Sequence, residues 1–234
     1  MICTSRSYPD WCYSKQGIPS LYLAIGIDKI QKSNSIKLTV KLMSYDIKKI
    51  RKKVEKSQDK SRFEHTLGVA YTAAMLARLY AIDEEDALVA GYLHDCAKCM
   101  DHEKKLKICT DNKIPVTEVE RRNPFLLHAK VGSYLAKKEY DIHNQDILNA
   151  ITYHTTGRPE MTMLEKIIFI SDYIEPGRTH AANLSEVRKL AFSDINQALL
   201  RILGDSLAYL HTTGKEIDDM TQKTFDYYAN NVSQ

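Results

Sequence analysis

The stretch "HDCAKC", residues 94–99, offers two kinds of chemistry. Cys96-x-x-Cys99 has the spacing of a thiol pair. His94-Asp95 with Lys98 has the parts of a metal site that faces phosphate. An imidazole and a carboxylate are ligands for a divalent ion, and an ammonium at i+4 from His94 and i+3 from Asp95 supplies positive charge beside them. A redox Cys-x-x-Cys sits at the start of a helix, whose N-terminus lowers the thiol pKa, whereas this pair stands late in a helical pattern. A zinc ribbon needs a second Cys pair, and only Cys109 remains in the body of the chain. The metal reading is therefore preferred, and the two cysteines are read as filler of core or surface.

Other candidate ligands fall at comparable phase in separate helical stretches: His65, His128, His154 and Asp172. Singly, each His fits a hydrogen-bonded core residue as well as a ligand, and Asp172 fits a cap or an ion pair. Together they point to one shared centre. His102, His143, His180 and His211 lack such surroundings and are assigned to surface or loop roles. No P-loop or dinucleotide-binding Gly motif is present, so any nucleotide must be held by the ion, basic side chains and apolar walls. Tyr153 and Tyr173 offer stacking faces, although core packing is the preferred reading of each.

The elements that must bring these residues together are helical. From Ser44 onward the apolar period is near 3.6: Ile47, Ile50 and Val54 form one stripe, and Phe63, Leu67, Ala70, Ala74 and Ala77 another. Asp83 caps a helix running through "ALVAGYLHDCAK", and Asn144 caps "QDILNAITYH", closed by Gly157. Thr162 and Glu165 have capping-box spacing ahead of "KIIFISDYI", which Pro176-Gly177 ends. "SDINQALLRILGDSLAYLH" and "DDMTQKTFDYYANN" are two further helices, giving an all-α bundle of about eight helices. The tetrapeptide H-T-T-G occurs at 154–157 and 211–214; unmatched flanks make this a likeness of helix ends rather than a repeat.

The 234 residues suit one domain with an appendage. A formal charge of +3 does not mark a nucleic-acid surface, and the basic run Lys48 to Lys56 reads as a solvated helix face. No nucleic-acid or membrane partner is expected. Five cysteines, an odd number, and no signal-peptide pattern point to the reducing cytoplasm. Residues 1–42 stand apart as an N-terminal extension. They hold Trp11, Cys3 and Cys12, and Ile36, Leu38, Val40 and Leu42 would share a strand face, so the segment is open to two readings, a hairpin with "SLYLAIGI" or no stable structure. Met43 precedes the first helical stretch and is a candidate start, leaving 43–234 as the functional domain.

In order along the chain, "RFEHTLGVAYTAAMLA", "AGYLHDCAK", "LLHAKVGSYLA", "AITYHTTGRPEMTMLEKIIFISDYIEPGR" and "LAYLHTTGKEIDDMTQKTFDYY" resemble the successive motifs of the YqeK family. This is a branch of the HD-domain metal-dependent phosphohydrolases, the symmetrical diadenosine tetraphosphate hydrolases. The resemblance runs from Met43 to the end. It departs after Arg178, where "THAANLSEVRKL" replaces an acidic-aromatic-Pro-Gly run. It implies an HD-domain helical bundle in which His65, His94, Asp95 and Asp172 bind the primary metal, with iron favoured. Manganese, cobalt, nickel or zinc suit the same donors. His128 and His154 would complete a second metal site bridged by Asp95, or hydrogen-bond phosphate, so one or two ions are expected.

The resemblance further implies substrate contacts from Arg62, Lys98, His128, His154, Thr155, Arg158 and Arg178, with Asp95 and Lys98 at the reacting phosphate. Water activated by the metal attacks as hydroxide and splits a dinucleoside polyphosphate, diadenosine tetraphosphate, into two ADP. A homodimer is compatible with this reading. Two alternatives remain open: an HD phosphohydrolase acting on nucleoside monophosphates or guanosine alarmones, and a non-catalytic helical binding protein with a structural metal site.

Overall fold

The computed structural model describes residues 45–232, so the hairpin, the extension and the candidate start at Met43 lie outside the described residues. Those described form eleven α-helices and one 3-10 turn, with no strand among them. No described helix is long and apolar enough to cross a membrane.

The first three helices are α1 (Ile47–Ser57), α2 (Lys60–Leu79) and α3 (Glu84–Leu93). Ile50 and Val54 are the buried side of α1, and its lysines lie on the solvent side, as the basic run suggested. Helix α2 is buried more widely than its stripe implied: Thr66, Val69, Thr72, Ala73 and Leu76 are covered, while Leu67 and Ala74 are only half-buried. The cause is that α2 packs on two partners, α3 and α8 (Met163–Ile174). Where α2 meets α3 the backbones nearly touch. A Cβ on Gly91 would stand 2.6 Å from Ala70 Cα, so glycine at that position sets the approach.

Asp83 caps α3 as expected, accepting from the Asp86 amide. The helix does not run through "HDCAK", however. It stops at Leu93, and residues 94–99 continue as turns with i to i+3 bonds, Cys96 N to Leu93 O and Lys98 N to Asp95 O. Likewise α7 (Gln145–Thr152), capped by Asn144, ends before His154, and the 153–156 turn follows it. Gly157 then takes φ +63°, as does Gly214 after α10 (Ile195–Thr213), so the two H-T-T-G copies do share a helix-end geometry.

The helix count exceeds the expected eight because several short helices are fixed by caps rather than by apolar period. They are α4 (His102–Asp111), capped by Asp101, and α5 (Glu118–Arg122), which has a Thr117/Glu120 capping box. The 3-10 turn Pro124–Leu127 leads into α6 (His128–Glu139), and α9 (Leu184–Ala191) precedes α10 and α11 (Asp219–Val232).

At the centre lies α8. Its Thr162/Glu165 capping box is present as predicted, and eight of its residues are buried, among them Ile167, Ile168 and Ile170. A helix apolar on most sides must be enclosed, and α2, α7 and α10 enclose it. Burial of this kind, worth about 25 cal/mol per Å² of apolar surface, is what fixes the helix ends that carry the site.

Candidate metal centre

Five elements deliver six candidate ligands to one place. His65 comes from the second turn of α2, Asp172 from the last turn of α8, and His94 and Asp95 from the turn after α3. His128 opens α6, and His154 stands in the turn after α7. They fall into two groups whose ligand atoms lie within 4.8 Å of one another: His65, His94 and Asp172, and Asp95, His128 and His154. The groups touch. The His94 and His154 rings are 5.1 Å apart, and His94 Nε2 is 3.6 Å from Asp95 Oδ2.

The helix ends orient the imidazoles. The last carbonyls of a helix have no partner inside it, and here ring nitrogens use them. His94 Nδ1 lies 2.7 Å from Gly91 O, His154 Nδ1 2.7 Å from Ile151 O, and His128 Nδ1 2.7 Å from Phe125 O of the 3-10 turn. A carbonyl only accepts, so each Nδ1 carries the proton and donates it. The Nε2 lone pair of each ring is left facing the interior. His65 Nδ1 is spent in the same sense on Glu175 Oε1, at 3.2 Å.

This leaves acceptors facing acceptors. His128 Nε2 lies 3.1 Å from His154 Nε2, and Asp95 Oδ1 is 3.2 Å from the first and 3.5 Å from the second. His65 Nε2 is 3.0 Å from Asp172 Oδ1 but not aligned for a hydrogen bond. His65 Nε2, His94 Nε2 and Asp95 Oδ1 are buried with no hydrogen-bond partner. Lone pairs gathered out of water cost free energy unless a cation sits among them. Imidazole nitrogen with carboxylate oxygen is a donor set for divalent transition ions, so these residues fit a metal.

The electrostatics agree. Burial lowers the His94 and His128 pKa values to about 4, keeping both rings neutral and able to ligate. Burial also works against charge on His65, but the carboxylates of Asp172 and Glu175 beside its two ring nitrogens outweigh it, and its pKa rises. Burial alone would raise Asp172, and the His65 contact brings it below the usual carboxylate range instead. Asp95 is likewise held low against burial by the rings of His94, His128 and His154.

The basic residues divide into those at the centre and those bound elsewhere. Arg62 donates to Asp95 Oδ2 at 2.8 Å, and Lys98 Nζ lies 3.2 Å from His128 Nε2 and 3.8 Å from Asp95 Oδ1. Arg178 holds Asp172, at 3.1 Å from Oδ1 and 3.0 Å from its carbonyl. Arg158 lies over the Tyr153 ring and donates to the buried Glu165 carboxylate at 2.9 Å, so its guanidinium serves α8. A cavity of about 590 Å³ opens beside His65 and is walled by Arg62, Glu175, Arg178 and His180. Thr155, next to His154, faces a separate cavity. His102, His143 and His211 are exposed, as assigned, and His180 is exposed at the cavity rim. The Tyr173 hydroxyl is tied to Ala182 O. Cys96 is buried against Gly132 O and Cys99 exposed near Asp59, so the two thiols have different partners.

Sequence reasoning passed over two residues. Glu175, the residue just after α8, follows Asp172 by three, and that spacing was the available signal. Gln58 donates to Asp95 O at 3.1 Å and accepts from Thr66 Oγ1 at 3.0 Å, bracing the turn that carries the ligand. Nothing in the local sequence marks that role.

A helical bundle with paired His/Asp groups on its helix ends defines an HD-domain protein, and residues 62–177 match the HD domain. Such a domain implies a divalent metal. The chain is 39% identical over 174 residues to the symmetrical bis(5'-nucleosyl)-tetraphosphatase of Bacillus subtilis, covering 74% of this chain and 92% of that one. It is 32% identical over 185 residues to the Staphylococcus aureus protein of the same name, covering 78% and 94%. A crystal structure from Clostridium acetobutylicum, described as a predicted HD superfamily hydrolase involved in NAD metabolism, aligns with a TM-score of 0.77 at 40% identity, covering 81% of this chain and 100% of that one. The chain belongs to the YqeK family of HD-domain phosphohydrolases.

Proposed function

We propose that this protein is a metal-dependent hydrolase that cleaves diadenosine tetraphosphate at its central phosphoanhydride, giving two ADP. The observation that carries this reading is the convergence of Nε2 lone pairs and carboxylate oxygens into two touching groups, with buried acceptors that lack any partner. Relatives named for this activity, at 32% and 39% identity over most of their length, supply the substrate class.

His65, His94, Asp95 and Asp172 would hold the primary ion, proposed as iron, with manganese and cobalt sharing the donor preference. A divalent ion there supplies Lewis acidity, offsetting phosphoryl charge and lowering the pKa of a water toward roughly 7. One ion is held firmly in this reading. His128 and His154 are placed for phosphate contact and for a second ion alike.

The protein's own groups do the positioning. Asp95 presents Oδ1 to the second group while Arg62 fixes Oδ2, so its carboxylate is held between the two. The Lys98 ammonium, one-third exposed, stands at the rim where phosphoryl oxygens arrive and offsets charge that grows on them. Arg62 and Arg178 wall the cavity beside His65 and extend that positive field along a polyphosphate. Nucleoside diphosphate is a stable anion, so its departure needs no strong general acid.

Purified protein assayed with mono- and dinucleotides, each with iron, manganese, cobalt or magnesium, tests this. ADP as the product of diadenosine tetraphosphate is expected, with loss of turnover on chelation. Phosphate release from nucleoside monophosphates alone would reject the reading.

A further inference from the structure

Three of the six exposed large apolar side chains among the described residues stand on one face of one helix. Tyr71, Met75 and Leu79 of α2 are 51%, 60% and 50% exposed and follow one another at i, i+4 and i+8. The buried residues of α2 pack on α3 and α8, so this stripe is the side of the helix that the bundle leaves uncovered. A continuous apolar stripe in water is a surface for another protein.

The residues on either side of Tyr71 decide which protein fits. Along the uncovered face run Glu64, Gly68, Tyr71, Met75 and Arg78, at alternating spacings of four and three, which is the seam of a two-stranded coiled coil. Gly68 is half-buried and the other four are exposed. This seam complements itself when a second copy runs antiparallel across a two-fold axis at Tyr71, because residues equally far from Tyr71 then face each other. Glu64 and Arg78 are each seven residues away, Leu67 and Met75 four, and Gly68 and Ala74 three. Carboxylate meets guanidinium, apolar meets apolar, and two small residues leave room for the pair of Tyr71 rings. A parallel pairing would set Glu64 on Glu64 and Arg78 on Arg78, and like charges repel. Arg78 Nε donates to Glu84 Oε1 at 2.8 Å, but that pair lies in solvent, and the guanidinium has further N–H donors. Glu64 has the Lys60 ammonium at 3.9 Å, the far edge of an ion pair.

We propose that a second copy of this chain covers the α2 face, the two α2 helices antiparallel and meeting at Tyr71 in an isologous dimer. Glu64 and Gly68 also wall the cavity beside His65, so Arg78 of the second copy reaches the rim of that cavity. There it offsets the Glu64 carboxylate, an anion that otherwise repels incoming phosphates. From Glu64 to Arg78 the seam is about 21 Å long, at the small end of specific interfaces, and a dissociation constant of roughly micromolar order is expected. The association stands without any assumption about activity, whereas its effect on the cavity rests on the hydrolase reading above.

Sedimentation velocity of the full chain without nucleotide, from about 1 to about 100 µM, reads the association directly. The mass should rise from one copy to two across that range. Met75→Asp puts two charges into the seam and should hold the protein at one copy, with helicity by circular dichroism unchanged. Glu64→Arg and Arg78→Glu should each weaken the dimer about tenfold, and the two together, which restore opposite charges in reverse, should recover most of the loss. A single copy at every concentration overturns the proposal, as does a dimer that Met75→Asp leaves intact or a double variant no tighter than the single ones. At concentrations where wild type is paired, Met75→Asp should raise KM for diadenosine tetraphosphate about threefold with kcat nearly unchanged, and equal KM values reject the effect on the cavity. Absence of wild-type turnover would instead reject the activity, and the mass measurements still decide the dimer.

Discussion

Glu175 Oε1 lies 3.2 Å from His65 Nδ1, and Gly68, one turn along α2 from His65, leaves the space in which that carboxylate sits. The Glu175 Oε2 atom also accepts from Gly177 N at 2.6 Å, so the loop after α8 is tied to the same group. A carboxylate behind an imidazole fixes the ring and raises its basicity toward a metal.

Loss of that support should therefore weaken metal binding without unfolding the bundle. A Cβ at position 68 would stand 2.5 Å from Glu175 Oε2, so Gly68→Ala must displace the carboxylate. Gly68→Ala and Glu175→Gln are each expected to lower metal affinity by about 10- to 100-fold. Titration of the metal-free proteins, with circular dichroism as the control for folding, reads this directly, and unchanged affinity in both variants would contradict the assigned role.

The ligand assignments predict a different pattern. His94→Ala and Asp95→Ala should cut turnover by orders of magnitude while helicity survives, because each removes a donor and not a core contact. His128→Ala should leave bound metal near the wild-type level if its group contacts phosphate, and should halve it if that group holds a second ion. Metal content measured alongside turnover separates these outcomes.

For the metal-free protein, pH dependence follows from the two buried rings. His94 and His128 have pKa values of about 4 when folded, below the usual value near 6.5, so the unfolded chain binds more protons between these limits. Their contribution is present above about pH 6.5 and is lost as pH falls toward about 4. His65, whose pKa rises, contributes in the opposite sense and offsets part of the loss. Denaturant midpoints should fall steadily from about pH 7 to about pH 4 in chelated protein. A flat profile would show that the rings are not buried neutral.

Thiol reactivity offers an independent check on the turn after α3. Burial pushes the Cys96 thiol up to about 12, Cys109 is buried and raised as well, and Cys99 is exposed. Of these three, an alkylating reagent under native conditions should modify Cys99 and spare Cys96 and Cys109, as read by peptide mapping of their peptides, and all three should react in denaturant. Ready modification of Cys96 would mean that the turn opens.

Arg158, expected at the substrate, donates its Nε proton to Glu165, which is fully buried and also accepts from Thr162 N at 2.6 Å. Arg158→Ala would leave that carboxylate short of a partner, a loss of about 1–3 kcal/mol in stability. A lower denaturant midpoint with KM unmoved assigns Arg158 to α8, whereas a raised KM at unchanged stability assigns it to substrate.

The helical character of the chain, the caps at Asp83, Asn144 and Thr162, and the set of His and Asp residues were legible in the sequence, because each is a local pattern of residue type and spacing. Where the helices stop was not. "ALVAGYLHDCAK" keeps an unbroken helical pattern, yet α3 ends at Leu93, since the His94 ring takes up the carbonyl of Gly91 and the chain turns to bring Asp95 inward. Packing also decided which cations are free: Arg158 and Glu165 lie seven residues apart on either side of a helix start, and only the fold shows them paired. Phe125 carries no motif, and its place at a cavity mouth depends on α10 and α11, which meet it from some eighty residues away in sequence. The sequence alone determined which donors exist and on which kind of element. Their pairing and the cavity beside His65 were decided by tertiary structure, because those depend on atoms brought together by burial across long stretches of chain.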